Sequence, residues 1–296
     1  MAARGGRRVK WLLAILGSAL LVAVVILGVT TWQIRRSTAV TRLGALAITY
    51  YLPPDGLTAL GPVQPDFGVA GSGDIFLQTG KGLVDVAPDG AMSLVRAPGR
   101  PAITSLAIGA DDAMLTIAGD YLGNLNAQGV PVLGAPLPYP GARVAASARP
   151  GMVYLFCRVP WGWRAYRFFE SGTFQKLYQF DVPVVSIADT KDALYIASAR
   201  LVVKVSKSGG EMVFRLPDDQ PKTAITSIAA GADGLLFVAT AASIYAVAGH
   251  GALTIVNDSG GEIRWRNGAL YVHDPQRRLL YAVKPATAAM FDRKTA

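Results

Sequence analysis

Bulky and small residues alternate in short runs along most of this chain. GLLFVATAASIYAV, residues 234–247, holds two such runs joined by four small or polar residues. The pattern recurs at Ile75-Phe76-Leu77, Leu115-Thr116-Ile117, Val153-Tyr154-Leu155, Leu194-Tyr195-Ile196, Leu236-Phe237-Val238 and Leu270-Tyr271-Val272. The intervals between centres are 40, 38, 41, 42 and 34 residues, and five of the six centres are aromatic. A period near 40 with extended, alternating content predicts a radial or stacked array of small sheets.

Each unit has the same neighbours in the same order. A short apolar segment comes first, as in ITSLAI (103–108), VVSIA (184–188) and AITSIAA (224–230). A second alternating run follows the aromatic one: LVDV (83–86), AYRF (165–168), VVKV (202–205), IYAV (244–247) and LYAV (280–283). Then comes a glycine turn, at Asp89-Gly90, Gln128-Gly129, Ser171-Gly172, Gly209-Gly210 and His250-Gly251, and a last extended run. Four short strands joined by tight turns make one propeller blade. Helical periodicity is absent after residue 36 apart from a few C-terminal residues, so an α-solenoid is excluded, and the regular four-strand period argues against a sandwich.

The expected fold is all-β: a six-bladed β-propeller of four-stranded antiparallel blades over residues 67–292. Blade 6 lacks a clear fourth strand. AAMFD (288–292) is one candidate, and LGALAITYY (43–51), inside a linker over 35–66, is the other. Pairing the two ends of the chain in one blade removes an exposed edge, and we favour that closure.

These units resemble those of the generic six-bladed propellers, the NHL-repeat and SMP-30/gluconolactonase-like groups. GDIFLQTGKGLVDVAPDG (73–90) is also similar to repeats in sensor ectodomains, and GALYVHDPQRRLLYAV (268–283) to quinoprotein-type repeats. The resemblance covers about residues 67–285 and is one of strand pattern, which many functions share. The lactonase-like members would imply a divalent cation in the central channel, held by Glu, Asn and Asp. Here Glu occurs only at positions 170, 211 and 262 in the whole chain, and Asp274 is the one acidic position that fits that expectation. One ligand is not a calcium cage. The tryptophans at 161, 163 and 265 lack the regular placement a quinone cofactor needs. No cofactor and no metal are expected.

The N-terminus changes the picture. Hydrophobic residues make up 51% of the 296, and part of that excess is the uncharged block at residues 12–31. Twenty helical residues reach about 30 Å, the thickness of a bilayer core. Trp11 and Trp32 bracket the block, where indoles prefer the interface. We expect a basic tail over residues 1–10 and a membrane-spanning helix over 11–34. A cleaved signal peptide is the alternative, but its apolar region is shorter and its cleavage site closer. Arg4, Arg7, Arg8 and Lys10 precede the block and Arg35, Arg36 and Arg42 follow it, which leans toward an inside N-terminus. The propeller would then lie on the periplasmic or extracellular side of the cytoplasmic membrane, on a single-pass anchor.

Net charge is +9, but residues 1–36 hold six of the 29 Lys and Arg and no acid, leaving 23 bases against 20 acids. The folded part is nearly balanced, so no nucleic-acid partner is inferred. Cys157 is the single cysteine and excludes internal disulfides. His250 and His273 are too few for a metal cluster, and there is no nucleophile elbow or phosphate loop. No catalytic residues are assigned.

Binding is expected on the loops between second and third strands and between blades, which share one face. CRVPWGWRAY (157–166) reads as the longest of these loops and offers Arg158, Trp161, Trp163 and Arg164. Tyr139, Arg100, Asp274 and Arg277 join the same expected face. Trp and Arg anchor interfaces more often than other residues. The functional expectation is a membrane-anchored, extracytoplasmic scaffold for a protein partner in or at the membrane. The alternative is a lactonase-like enzyme with a channel metal near Asp274. A receptor ectodomain is disfavoured, because only ten residues precede the anchor.

Overall fold

The computed structural model describes residues 47–284 apart from 53, 100, 127–128, 170–171, 207–208, 218–222, 232–233 and 249–250. The expected membrane helix, the C-terminal candidate strand and His250 lie outside the described residues. No helix among the described residues is long and apolar enough to cross a membrane.

Six four-stranded antiparallel sheets form the ring. Blade 1 is β2 (Val63–Val69), β3 (Ile75–Thr79), β4 (Gly82–Val86) and β5 (Met92–Arg96). Blade 2 is β6 (Ile103–Ile108), β7 (Met114–Ala118), β8 (Tyr121–Leu125) and β9 (Pro131–Pro136). Blade 3 is β10 (Arg143–Ala146), β11 (Met152–Val159), β12 (Gly162–Phe169) and β13 (Phe174–Phe180). Blade 4 is β14 (Ser186–Asp189), β15 (Leu194–Ala197), β16 (Leu201–Ser206) and β17 (Gly209–Arg215). Blade 5 is β18 (Ile225–Ala230), β19 (Leu236–Thr240), β20 (Ser243–Ala248) and β21 (Gly251–Asn257). Blade 6 takes β22 (Glu262–Arg266), β23 (Ala269–Asp274) and β24 (Leu279–Lys284), and its fourth strand is β1 (Ala47–Leu52). Each first strand contacts the first strand of the next blade, from β2 through β22 and back to β2, so the ring is closed.

The closure is the N-terminal one. Ala47 pairs with Lys284 and Leu52 with Leu280, so the chain's earliest described strand covers the edge of its last. Strand residues also reach into the stretch read as linker, since β2 begins at Val63. A six-residue helix, α1 (Pro54–Ala59), which the sequence pattern did not predict, bridges β1 and β2. Proline at its first position and Asp55 in its first turn suit a helix N-terminus, and Leu57 and Leu60 are buried beneath it.

The core is not one mass but a set of wedges between blades. Ile75, Leu77 and Val84 of blade 1 pack with Tyr271 and Leu280 of blade 6. On the other side of the same sheet, Leu83 packs with Ile103, Leu106 and Met114 of blade 2, and Phe76 packs against them. The second strands are buried on both faces of their sheets, which is why they read as nearly continuous apolar runs. The third-to-fourth turns need backbone that turns back within two residues. Gly90, Gly129 and Gly172 supply it with φ of 84°, 72° and 81°.

Register corrects one unit of the repeat. Gly68 pairs with Phe76, Ala188 with Tyr195 and Ala229 with Phe237. The corresponding pair in blade 2 is Ala107 with Leu115. The centre of that unit is therefore Leu115, not Thr116.

Because strands alternate in direction, second-to-third turns and blade-to-blade connections share one face, here called the upper face. First-to-second and third-to-fourth turns share the lower face. β1 runs from lower to upper, so the chain enters the ring at its lower face. Removing residues 1–45 is expected to leave the urea unfolding midpoint unchanged. Removing residues 1–52 uncovers β24 and strips Leu52 from the core, and should lower stability by at least about 2–3 kcal/mol. Urea titration followed by size-exclusion chromatography, to detect edge-mediated association, distinguishes the two truncations.

Candidate functional site

The centre of the ring is polar. One residue from each inner strand stands at the same level: Asp66, Ser105, Arg143, Ser186, Ser227 and Glu262. Each precedes an apolar residue of its strand, and at this level the blades are stitched together. The Ser105 hydroxyl donates to Asp66 Oδ2 at 2.7 Å, and Ser105 Oγ accepts the Val144 N–H at 3.1 Å. Ser186 Oγ accepts the Ile228 N–H at 3.2 Å, and Ser227 Oγ accepts the Ile263 N–H at 3.3 Å. Arg143 Nη1 donates to the Val185 carbonyl at 3.1 Å. Arg264, two residues beyond Glu262, closes the circle by donating from Nε to the Phe67 carbonyl at 3.1 Å. All six blade junctions are bridged.

Two guanidinium and two carboxylate groups meet within this belt. Arg143 Nη2 bonds Asp66 Oδ1, and it lies 3.4 Å from Glu262 Oε1. Arg264 Nη1 is 3.3 Å from Glu262 Oε2, and its Nη2 is 3.7 Å from Asp66 Oδ1. Asp66 and Glu262 are 4% and 7% exposed, and burying such groups is costly unless cationic and hydrogen-bonding partners accompany them. Burial alone would pull the Arg143 guanidinium down, but Asp66 and Glu262 more than offset this and hold it above its ordinary value. Below the belt, a cavity of about 460 Å³ opens toward the lower face, with Arg143, Glu262 and Arg264 at its floor.

This donor set does not fit a divalent cation. Each carboxylate already faces two guanidinium groups, whose charge repels a metal. Among the described residues no three His, Cys, Asp or Glu side chains come close enough to hold one.

The expected site at Asp274 is also corrected. Asp274 ends β23, a second strand, and does not line the central cavity. It is fully buried and committed to its own turn. Its Oδ1 accepts the N–H groups of Gln276 and Arg277 at 3.0 and 2.9 Å. Its Oδ2 accepts the Ser259 hydroxyl at 2.8 Å and lies 3.5 Å from Arg277 Nη1.

His273 is buried and hydrogen-bonded, with Nδ1 3.1 Å from the Pro65 carbonyl. Burial lowers its pKa from 6.5, against the opposing pull of the Pro65 carbonyl, Glu262 and Asp274, while Arg264 adds to the lowering. Cys157 is buried and free, and burial raises its thiol to about 11, away from the thiolate form that reacts.

The proposed surface residues divide between opposite sides of the ring. CRVPWGWRAY is not a long loop. It is the upper end of the β11–β12 hairpin, with only Pro160 and Trp161 in the turn. Trp161 is 54% exposed and Arg158 is exposed beside it. Arg164 is half-buried, with Trp163 packed between blades 3 and 4 and Tyr139 against the wedge of blades 2 and 3. Arg277 is exposed, but it lies with Asp274 in blade 6, three blades away. Arg100 lies outside the described residues. The belt escaped the sequence reading altogether. Its one signal is a polar residue directly before an apolar one in the first strand of each repeat.

With this geometry in hand, the comparisons place the architecture. In fold the chain is similar to a calcium-binding regucalcin from Agrobacterium tumefaciens, with 15% identity, a TM-score of 0.60, and 81% of this chain matched to 93% of that one. It is also similar to a gluconolactonase from Xanthomonas campestris, at 12% identity and a TM-score of 0.59 over 81% and 90% of the two chains. The extracellular domain of a hybrid two-component system from B. thetaiotaomicron matches at 13% identity and a TM-score of 0.51, over 81% of this chain and 39% of that one. No family model matches the sequence, and no curated protein does either. At these identities the likeness is one of fold: a six-bladed β-propeller of the kind found in the SMP-30/gluconolactonase-like proteins.

Two outcomes test this description. Arg143→Leu leaves two buried carboxylates sharing one guanidinium. It should cost about 2–3 kcal/mol in chemical denaturation, toward the low end for a buried pair because the Arg143 side chain is partly solvated. Folding also excludes a proton that His273 accepts in the unfolded chain below 6.5. The stability that neutral His273 contributes is therefore complete above that pH and is lost as pH falls. His273→Gln should flatten the fall in thermal midpoint between neutral pH and mildly acidic pH, as read by calorimetry.

Proposed function

We propose that this chain is a membrane-anchored propeller that works as a protein-binding or scaffolding module on the outer side of the cytoplasmic membrane. The observation that carries the reading is the filled channel centre. The place where a propeller would gather ligands for a reactive group is occupied by the protein's own ion pairs, which leaves the loops as the surface for function. The uncharged block at residues 12–31 supports the anchor. Of the two faces, the upper one carries the exposed Arg158, Trp161 and Arg277. The lactonase-like alternative needs a channel cation, and the donor set above does not favour it.

Photocrosslinkers placed at single upper-face positions (Lys81, Trp161, Arg277) and lower-face positions (Asp89, Asp192) test this in intact membranes. Capture of the same protein from upper-face positions is expected. Capture from lower-face positions alone contradicts the reading. Stoichiometric Ca²⁺ or Mn²⁺ in the purified full chain, lost on Asp66→Asn, would favour the enzyme instead.

A further inference from the structure

The tip of blade 3 differs from the other five second-to-third turns. Its two strands are eight residues each, against four to six in the other blades. Judged by register with blade 1, the hairpin runs two residues farther at its upper end, about 6–7 Å. The elevated turn presents a tryptophan that is more than half exposed.

That tryptophan is held rather than loose. The Arg164 guanidinium lies 5.7 Å from the Trp161 ring centroid. Arg164 Nη2 donates to Gln179 Oε1 at 2.7 Å, and Gln179 Nε2 donates back to the Trp161 carbonyl at 3.4 Å. Gly162 makes the tight crossing possible: its φ is +127°, and a Cβ there would sit 2.5 Å from the Phe180 carbonyl oxygen. An indole fixed on one side and open on the other loses little entropy when a partner covers it. Val182, 52% exposed, follows β13 at the same upper end, while Tyr178, 38% exposed, lies on the sheet face opposite Arg164.

The tip carries a net positive charge. Neither Arg158 nor Arg164 has an acidic ion-pair partner among the described residues. Arg164 is committed to an amide and an indole. Two guanidinium groups stand against Asp181, whose Cα lies beside Gly162.

We infer that this hairpin tip anchors an acidic segment of a protein partner, one that places carboxylates on both sides of an apolar side chain. The apolar group covers the open face of Trp161 beside Val182, and the carboxylates meet Arg158 and Arg164. The inference rests on the scaffold reading and names the chemistry of its partner. A protein is favoured over an anionic lipid surface because two arginines fall short of the about four to eight clustered cations by which a charged leaflet is recognised.

The test uses the full chain in detergent micelles and two labelled synthetic peptides. Both carry the same phenylalanine-leucine anchor, flanked by Glu in one and by Lys in the other. The Glu peptide should bind with an affinity that falls as salt rises, and the Lys peptide should not bind. Trp161→Ala should weaken the Glu peptide about tenfold or more, and Arg158→Glu should weaken it and flatten the salt dependence. Both side chains are exposed, and unchanged thermal midpoints confirm that the variants fold. Equal binding of the two peptides, no binding of either, or unaltered binding by Trp161→Ala overturns the inference. So does a Trp161-dependent preference for phosphatidylglycerol vesicles over the Glu peptide. Partner capture from Lys81 or Arg277 with none from Trp161 would leave the scaffold reading standing and overturn this one.

Discussion

Every blade of this ring is held to the next by a polar contact at the level of Asp66, Ser105, Arg143, Ser186, Ser227 and Glu262. The wedges of apolar side chains supply most of the favourable burial, but they are non-directional and would tolerate small slips between sheets. The belt does not tolerate them. A serine hydroxyl that must reach the backbone N–H of the following inner strand, as at Ser105–Val144, Ser186–Ile228 and Ser227–Ile263, fixes one sheet's height against its neighbour. Where blades meet without that serine contact, Arg143 reaches Val185 and Arg264 reaches Phe67, each by a guanidinium-to-carbonyl bond. The circle is therefore complete although its members differ chemically.

The same belt shapes what the channel can do. Asp66 and Glu262 would be attractive to a cation if they stood alone. They instead face two guanidinium groups, and the cluster is charge-balanced. The likeness to a regucalcin and a gluconolactonase is one of fold, and fold does not dictate what stands in the channel. In this chain guanidinium groups face both channel carboxylates.

Much of the architecture was legible in the sequence, because a strand buried on both faces leaves a continuous apolar trace and a tight turn needs glycine. Six second strands, the third strands and the N-terminal closure could be read in that way. Met114-Leu115-Thr116-Ile117 offered two registers, and only pairing with Ala107 decides between them. Helix α1 is shorter than two turns and leaves no periodicity to find. The stretch around Trp161 looked like a loop because Pro160 and Gly162 flank it, yet Val159 and Gly162 are paired ends of regular strands across a two-residue turn. The belt was illegible for a different reason. Its positions share geometry rather than residue type, so Asp, Ser, Arg and Glu at one level do not register as a repeat. Asp274 was misjudged because a lone acid beside a strand end cannot be told from an acid that caps its own turn.

Amide hydrogen exchange at Val144, Ile228 and Ile263 probes the central claim most directly, because these three N–H groups donate to the serines of the preceding blades. If the belt holds the ring together, all three should exchange only with global unfolding and at a common free energy. Exchange at the rate of the outer strands β5 and β17, with the ring otherwise folded, would contradict it.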